Sequence, residues 1–373
     1  MRVRIAAVAA ALAGLAVVLA APAQAKDFTY TTWVAPAETT VAAGIAPFFK
    51  RVEAETGGEF KGKIFTAGQL AGQPATLTAV RDRVADSGFV LEGATPKETP
   101  YNAMTADFQF LNLDPMAAAA AKMELSLFKC PECQAEYKKY NAINLGGHSI
   151  DTNFLMCTRE LKSVDDIAKL RIRAPLRVYR DITTFFGATP VYTTFPEMVP
   201  ALQTGQAHCT IGNTSWMTAY GLKDMMKSIV TARFIGALPC HSTFTVNRDA
   251  WNELSPKARQ AILRQLPKVL TGATAYNTRQ GKDGLQAGLA GGVKEVDLGT
   301  AFASKWDAFV ADEPERILKA AVASGIKREV AQRILDDYAQ LYKKWDAIVK
   351  AAKGDTEKID QALWDEIYSK LKL

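Results

Sequence analysis

Short strand-like and helical segments alternate between Leu170 and Trp216, and this alternation restricts the possible folds more than any other feature of the chain. A strand with the sequence Arg-Ile-Arg precedes a helical run, a second strand lies near Gly-Ala-Thr-Pro-Val, and a third follows the helix that contains Ala-Leu-Gln-Thr-Gly. Such repetition predicts a parallel sheet, whose ligand crevice lies beyond the carboxyl ends of its strands. Arg173 stands at the end of the first strand, so its side chain can point into that crevice.

An earlier part of the chain shows the same alternation. Apolar periodicity and turn residues predict a strand over 28–33, a helix that ends at Gly57-Gly58, a strand at 64–65, a helix over about 74–84 and a strand over 89–92. Pro47 falls inside the periodic pattern of the first helix and predicts a kink or a late helix start. The chain therefore contains a second α/β unit.

The remaining segments connect and extend these two units. They are predicted as a strand and a crossing over 142–153, a further strand over 154–157, a helix over 220–230 and a returning strand over 241–247. A helix from Pro256 to about Gln286 is long enough to lie across both units, and helices fill the chain beyond Ala301. Two α/β lobes joined by several extended crossings form a hinge.

The amino terminus has the features of a secretory signal peptide. Two early arginines precede an Ala-rich apolar run over residues 5–21, and an Ala-Gln-Ala sequence that ends at Ala25 fits a cleavage site. An uncleaved membrane anchor is disfavoured because the run is short and weakly apolar for a span. Cleavage after Ala25 predicts a periplasmic protein and lowers the net charge from +6 to +4. That mild charge, interleaved with acidic residues, argues against nucleic-acid binding.

Five cysteines in a chain predicted to be exported permit disulfides and leave at least one thiol unpaired. Cys130 and Cys133 have the spacing of a thioredoxin-type redox pair. Lys-rich helical sequence flanks them on both sides, which favours a local structural disulfide or two plain thiols. The pairing of Cys157, Cys209 and Cys240 stays open. Three histidines without linked ligand spacing indicate no metal site, and no cofactor is expected.

Three blocks in order carry a resemblance to a known family. Arg-Ile-Arg-Ala-Pro, Phe-Gly-Ala-Thr-Pro-Val and Ala-Leu-Gln-Thr-Gly, at these spacings, make the chain similar to a dicarboxylate-type solute-binding protein of a TRAP (tripartite ATP-independent periplasmic) transporter. The resemblance extends in weaker form from about Phe28 to Trp251. It implies an α/β, two-lobed periplasmic-binding-protein-like fold in which each lobe is a mixed sheet flanked by helices. A long lobe-bridging helix and a helical C-terminal extension complete that fold.

The predicted domain boundaries follow from this two-lobed architecture. Residues 1–25 are the signal peptide, and residues 26–152 with about 239–280 form the first lobe. Residues 153–238 with about 281–373, including the C-terminal helices, form the second lobe.

The resemblance also implies a function without catalysis. Such a protein captures a small organic acid in the cleft, closes about its hinge and delivers the solute to integral-membrane TRAP subunits. Arg173 matches the family's carboxylate-binding arginine. A guanidinium offers a planar fork that forms two parallel hydrogen bonds to a carboxylate. Arg171 is treated as peripheral, because the family pattern usually has lysine there.

Six further residues are candidate ligand-binding residues in the cleft, namely Glu92, Trp33, Phe195, Asn213, Trp216 and Asn153. Glu92 is predicted to end the third strand and to meet a ligand hydroxyl or amine, with a surface salt bridge as the alternative. Trp33, in the loop after the first strand, could stack on the solute or plug the lobe edge. Phe195 matches a family aromatic that packs on the solute, although core packing would also explain it. Asn213 and Trp216 could line the floor.

Two departures from the family pattern bear on the ligand. Ala-His-Cys replaces the Val-Asp-Gly strand of many members, and Asn153 occupies the position at which some members carry a second arginine. An Asn is a neutral partner, so a second ligand carboxylate would be less well balanced. These departures favour a monocarboxylate over a dicarboxylate.

Two other functional classes remain as alternatives. An enzyme acting on a cleft-bound carboxylate would need catalytic groups, but the chain has no G-x-S-x-G, H-E-x-x-H, P-loop or G-x-G-x-x-G motif after a strand. Glu92 or His208 could act as a general acid or base. A sensory receptor of the same fold would share the ligand but not depend on transporter subunits.

Overall fold

The computed structural model describes residues 27–373, so the predicted signal peptide lies outside the described residues. Within that range no helix combines the length and the apolarity that crossing a bilayer requires. Two mixed β-sheets with helices around them make up the described chain. The predicted two-lobed α/β fold class is therefore confirmed.

The sheet of the first lobe has five strands in the order β2-β1-β3-β10-β4. Their bounds are β1 Phe28–Thr31, β2 Gly62–Phe65, β3 Ser87–Gly88, β4 Ala142–Ile150 and β10 Leu238–Asn247. β1 pairs in parallel with β2 and β3, whereas β10 pairs antiparallel with β3 and β4. The long β10 thus returns from the second half of the chain and lies between β3 and β4.

The sheet of the second lobe has six strands in the order β11-β9-β5-β8-β6-β7. Their bounds are β5 Asn153–Cys157, β6 Arg171–Arg173, β7 Thr189–Val191, β8 Cys209–Asn213, β9 Ser228–Ile235 and β11 Lys294–Glu295. β6 lies between β7 and β8 and is parallel to both, as the strand–helix alternation predicted. The carboxyl end of β6 therefore carries Arg173 to the edge at which ligands bind in such sheets.

Thirteen α-helices surround the sheets over the described residues. They are α1 Ala46–Thr56, α2 Thr76–Arg81, α3 Pro100–Ala106, α4 Pro115–Glu124, α5 Pro131–Lys139, α6 Arg177–Phe185, α7 Met198–Gln203, α8 Trp216–Ala219, α9 Arg248–Glu253, α10 Pro256–Ala290, α11 Gly299–Ala323, α12 Arg328–Ala352 and α13 Thr356–Glu366. Short 3₁₀ and π turns connect several of them.

Local sequence signals explain where α1 begins and ends. Pro47 is the second residue of α1, and a π-helical turn over Thr40–Ile45 runs directly into this helix. Gly57 ends the helix in the left-handed conformation, with φ of 69°. The regular α-helix thus begins next to Pro47, where the sequence predicted a kink or a late start, although helical backbone precedes it.

Two predicted elements differ in the structure. Residues 220–230, predicted as a helix, contain only a 3₁₀ turn at Leu222–Asp224 before β9 begins at Ser228. The third strand is confined to Ser87–Gly88, and Glu92 begins a 3₁₀ turn. Short apolar runs do not distinguish strand from helix, so long-range pairing decided both cases.

The helix α10 crosses both lobes, as predicted. It contacts α1 and β4 in the first lobe and α8 in the second. The side chain of Thr214 donates to the carbonyl of Gly281 at 2.7 Å. A Cβ added at Gly284 would lie 2.2 Å from the carbonyl oxygen of Thr214, so this approach requires glycine.

The last two long helices cover the first lobe. α12 contacts α4, and α13 contacts α10 and α12. Glu124 of α4 pairs with Lys344 at 2.8 Å and accepts from Trp345 Nε1 at 2.7 Å. These contacts place α12 and α13 beside α4 and α10.

Four of the five cysteines form two disulfides. Cys130 bonds to Cys133 at the start of α5, after a π-helical turn and not after a strand. Cys157 bonds to Cys209 across the antiparallel pair of β5 and β8, in which the two residues face each other. Cys240 is a free, buried thiol.

Candidate functional site

A cavity lies between the two lobes. The volume accessible to water is about 60 Å³, which is room for several water molecules. The first lobe contributes Trp33, Val34, Glu38, Thr40, Gln73, Phe89, Leu91, His148, Ile150, Leu238 and Cys240 to its lining. The second lobe contributes Asn153, Arg173, Pro175, Leu176, Tyr179, Phe195 and Trp216. Both lobes therefore build one mainly apolar site with a few polar groups.

The guanidinium of Arg173 is the cation of this cavity. The residue is 2% exposed, and its Nε donates to the hydroxyl of Thr193 at 3.1 Å. No carboxylate lies within 4 Å of it among residues 27–373. Burial lowers the pKa of Arg173 to about 10, so it stays protonated at neutral pH. A buried cation without an anionic partner favours an anion in the cavity.

Aromatic side chains from both lobes form the walls. Trp33 stacks on Phe89 with ring centroids 5.0 Å apart, and its Nε1 donates to the carbonyl of Phe89 at 3.2 Å. Phe195 meets Trp33 edge-on at 5.6 Å and Trp216 at 5.1 Å. The guanidinium carbon of Arg173 lies 5.8 Å from the centre of the Phe195 ring. An apolar or aromatic ligand body fits such walls.

Asn153, the first residue of β5, is one of the residues that line the cavity. Its Nδ2 donates to the carbonyl of Gly236 at a long 3.4 Å. Its Oδ1 is buried and has no hydrogen-bond partner among the described residues. A ligand group that donates a hydrogen bond would satisfy this oxygen.

Two predicted site residues lie outside the cavity lining. Asn213 faces Asn153 across β8 and β5, but its side chain bonds to the backbone of Thr152 and Ser215. Glu92 is buried in the first lobe, where its carboxylate lies 3.0 Å from His241 Nδ1 and accepts from Tyr137. Both side chains already have hydrogen-bonding partners within the protein, and neither lines the cavity.

Arg173, Asn153, Trp33, Phe195 and Trp216 do meet at one cavity. The structure adds polar residues that the sequence reasoning missed, namely Glu38, His148, Tyr179 and Cys240. The position of Glu38 in the loop after the first strand could have indicated it. No local signal pointed to the others, since only tertiary pairing brings β4, α6 and β10 to the cavity.

The imidazole of His148 is neutral and has one defined tautomer. Burial lowers its pKa to about 4. The Thr243 hydroxyl donates to the carbonyl of Cys240 at 2.7 Å, so it accepts from His148 Nδ1 at 2.9 Å. The ring proton therefore lies on Nδ1, and Nε2 keeps a lone pair that has no partner among the described residues.

Solved structures share this fold over most of the chain. One is a TRAP solute-binding protein of an unidentified marine microbe, specific for aromatic acid ligands and crystallised with 3-hydroxybenzoate. It has a TM-score of 0.75 and 20% identity, covering 86% of this chain and 99% of its own. A TRAP solute-binding protein of Rhodoferax ferrireducens with copurified benzoate has a TM-score of 0.74 and 17% identity. The match covers 87% of this chain and 99% of that protein. The Bordetella pertussis receptor DctP7, which binds pyroglutamic acid, has a TM-score of 0.68 and 20% identity. The match covers 84% of this chain and 99% of that receptor.

The sequence also matches the profile of a protein family. No curated protein matches the chain. The profile described as DctP, bacterial extracellular solute-binding protein, family 7, matches residues 32–318, which is most of the chain and includes both lobes and the cavity. The chain belongs to family 7 of the bacterial extracellular solute-binding proteins.

Proposed function

We propose that this protein is the periplasmic solute receptor of a TRAP-type secondary transporter and that it captures an organic carboxylate. The observation that carries the proposal is the buried guanidinium of Arg173, which lines the interlobe cavity and lacks a carboxylate partner among residues 27–373. Relatives of the same fold hold benzoate, 3-hydroxybenzoate or pyroglutamic acid. Each of these ligands carries one carboxylate, which a guanidinium binds through two parallel hydrogen bonds.

Capture proceeds by closure of the lobes about the crossings between them. The open form exposes Arg173 at the end of β6, the solute carboxylate binds there, and the aromatic walls of both lobes then enclose the rest of the solute. Closure excludes water, which strengthens the charged hydrogen bonds. The closed form then docks on integral-membrane subunits, which release the solute chemically unchanged. The neutral Asn153 supports a monocarboxylate.

Thermal-shift and calorimetric titration with a panel of organic acids tests this proposal. Arg173→Ala removes one partner of a desolvated pair, so the affinity for every acid that binds should fall by about 2–5 kcal/mol, or roughly 30-fold to several thousand-fold. Arg171→Ala is the matched control, because Arg171 lies two residues away on the same strand and its exposed side chain bonds only to backbone carbonyls.

The outcomes separate binding from catalysis and from a structural role. Equal affinities for the wild type and Arg173→Ala would refute carboxylate capture by this residue. Recovery of a chemically altered acid, detected by mass spectrometry, would indicate that the protein is an enzyme and not a receptor. Melting temperatures of the two unliganded variants show whether a loss of affinity merely follows a loss of folding.

A further inference from the structure

The cavity contains one carboxylate besides the cation that anchors the solute. Glu38 lies in the loop after β1, is partly buried and lines the cavity. Its Oε2 accepts from the backbone N–H of Thr40 at 2.8 Å. No lysine, arginine or histidine nitrogen lies within 4 Å of this carboxylate among the described residues. Burial raises the pKa of Glu38, as expected of an acid that lacks a nearby cation.

The lone pair of His148 Nε2 is a second acceptor in the same lining. The residue is 1% exposed, and its neutral ring cannot supply a positive charge at physiological pH. Together with the unsatisfied Oδ1 of Asn153, the lining residues therefore have two acceptor atoms without a hydrogen-bond partner in the described protein. Unsatisfied buried acceptors cost free energy unless a ligand donates to them.

The charges of the cavity indicate what such a ligand carries. Arg173 and Glu38 are more than 4 Å apart, so they do not neutralise each other directly. A simple carboxylate would balance Arg173 and would leave Glu38 without a cationic partner. A second carboxylate on the ligand would add repulsion. A ligand with a carboxylate at one end and a hydrogen-bond donor at the other balances both groups.

We propose that the solute is a bifunctional acid whose second end donates hydrogen bonds to Glu38 and His148. This inference rests on the proposed function, since it takes the carboxylate at Arg173 as given. A carboxylate forms a charge-assisted hydrogen bond with a protonated amine, which is about twice as strong as a neutral one, so an amine is favoured over a hydroxyl as the donor to Glu38. The apolar and aromatic walls hold the part of the solute that joins its two ends.

Glu38 also caps the turn over Thr40–Ile45, so its substitution must preserve that contact. Glu38→Gln keeps an oxygen that accepts from Thr40 N–H, removes the charge and replaces the other acceptor oxygen with an NH₂ donor. The exposed Glu59, which does not line the cavity, provides Glu59→Gln as a charge-matched control.

Two sets of matched acids test the inference by calorimetry. One set is benzoate, 3-hydroxybenzoate and 3-(aminomethyl)benzoate, and the other is pentanoate, 5-hydroxypentanoate and 5-aminopentanoate. In at least one set the amine-bearing acid should bind about 10- to 100-fold more tightly than the unsubstituted acid. Glu38→Gln should remove most of that preference, whereas Glu59→Gln should change neither the preference nor the affinities.

The two proposals fail in different ways. If acids bind and depend on Arg173 but show no preference for a donor, or if Glu38→Gln weakens all of them equally, this inference is overturned and carboxylate capture stands. A preference for the hydroxyl-bearing acid that disappears in Glu38→Gln supports the inference and identifies the donor as a hydroxyl. Absence of binding by every acid overturns both.

Discussion

The side chain of Lys122 is a buried cation that the binding site does not use. It is 1% exposed in α4, and its Nζ has no hydrogen-bond partner among the described residues. Burial lowers its pKa to about 7, although Glu92 and Asp107 act in the opposite direction. The first lobe therefore contains a lysine that titrates near neutral pH, close to the Glu92–His241 pair.

Replacement of this lysine should change how stability depends on pH. Between about pH 7 and pH 10 the unfolded chain binds a proton at Lys122 that the folded chain does not, so the free energy of unfolding rises with pH. Lys122→Met should lose this rise, on the order of 1–4 kcal/mol. Urea denaturation of both proteins across this range measures the difference. Parallel pH profiles would show that the buried ammonium keeps its ordinary pKa.

At the scale of elements, the disulfide between β5 and β8 joins the strands next to the cavity. Cys157 and Cys209 are separated by 52 residues, a segment that includes β6 and Arg173. The bond between Cys130 and Cys133 closes a segment of only three residues. Because the loss of unfolded-chain entropy grows with the length of the closed loop, the first bond should stabilise the fold more.

Paired alanine substitutions compare the two bonds directly. All four cysteines are buried, so the loss of side-chain volume is similar in each pair. Cys157→Ala with Cys209→Ala should lower the free energy of unfolding by roughly 2–3 kcal/mol more than Cys130→Ala with Cys133→Ala. Denaturant unfolding of both double variants measures this difference. Equal losses would indicate that local packing, and not loop length, determines the contribution of each bond.

At the scale of the whole molecule, polar contacts join the two lobes. Arg177 of α6 in the second lobe donates from Nε to Asp107 of the first lobe at 2.6 Å. Tyr179 OH donates to Gln109 at 3.0 Å, and the backbone N–H of Phe195 donates to Gln73 at 3.2 Å. These contacts flank Arg173, so the segment that anchors the solute also joins the lobes.

Loss of the contact between the lobes should weaken ligand binding. Asp107→Asn removes a charged partner of Arg177 across the lobes, which reduces the population of the closed form and should lower affinity about tenfold. Asp181→Asn is the matched control, because Asp181 also pairs with Arg177 but lies in the same helix. Titration with a bound acid measures the affinities.

Alkylation of Cys240 provides a second measure of closure in the same variants. This free thiol lines the cavity and is 3% exposed. It should react faster in Asp107→Asn than in Asp181→Asn, and saturating ligand should slow the reaction. Identical rates and affinities in both variants would show that the ion pair between the lobes does not contribute to closure.

The sequence by itself determined the elements and one part of the site. Strand–helix alternation identified the parallel strands β6, β7 and β8, and helix-start signals located α10. Arg173 could be found because its strand ends there, and parallel strands bring their carboxyl ends to one edge. These properties are local or periodic, so they can be read without knowledge of distant contacts.

Only the tertiary structure decided which elements meet. It brought Glu38 and His148 to the cavity, turned Glu92 and Asn213 away from it, and packed α12 on α4. It also paired Cys157 with Cys209. The physical reason is that periodicity specifies the face that a strand or helix buries, whereas its partner depends on packing between segments far apart in the chain. The partners of a buried charge are therefore properties of the folded molecule, and the unpaired charges of this cavity became visible only there.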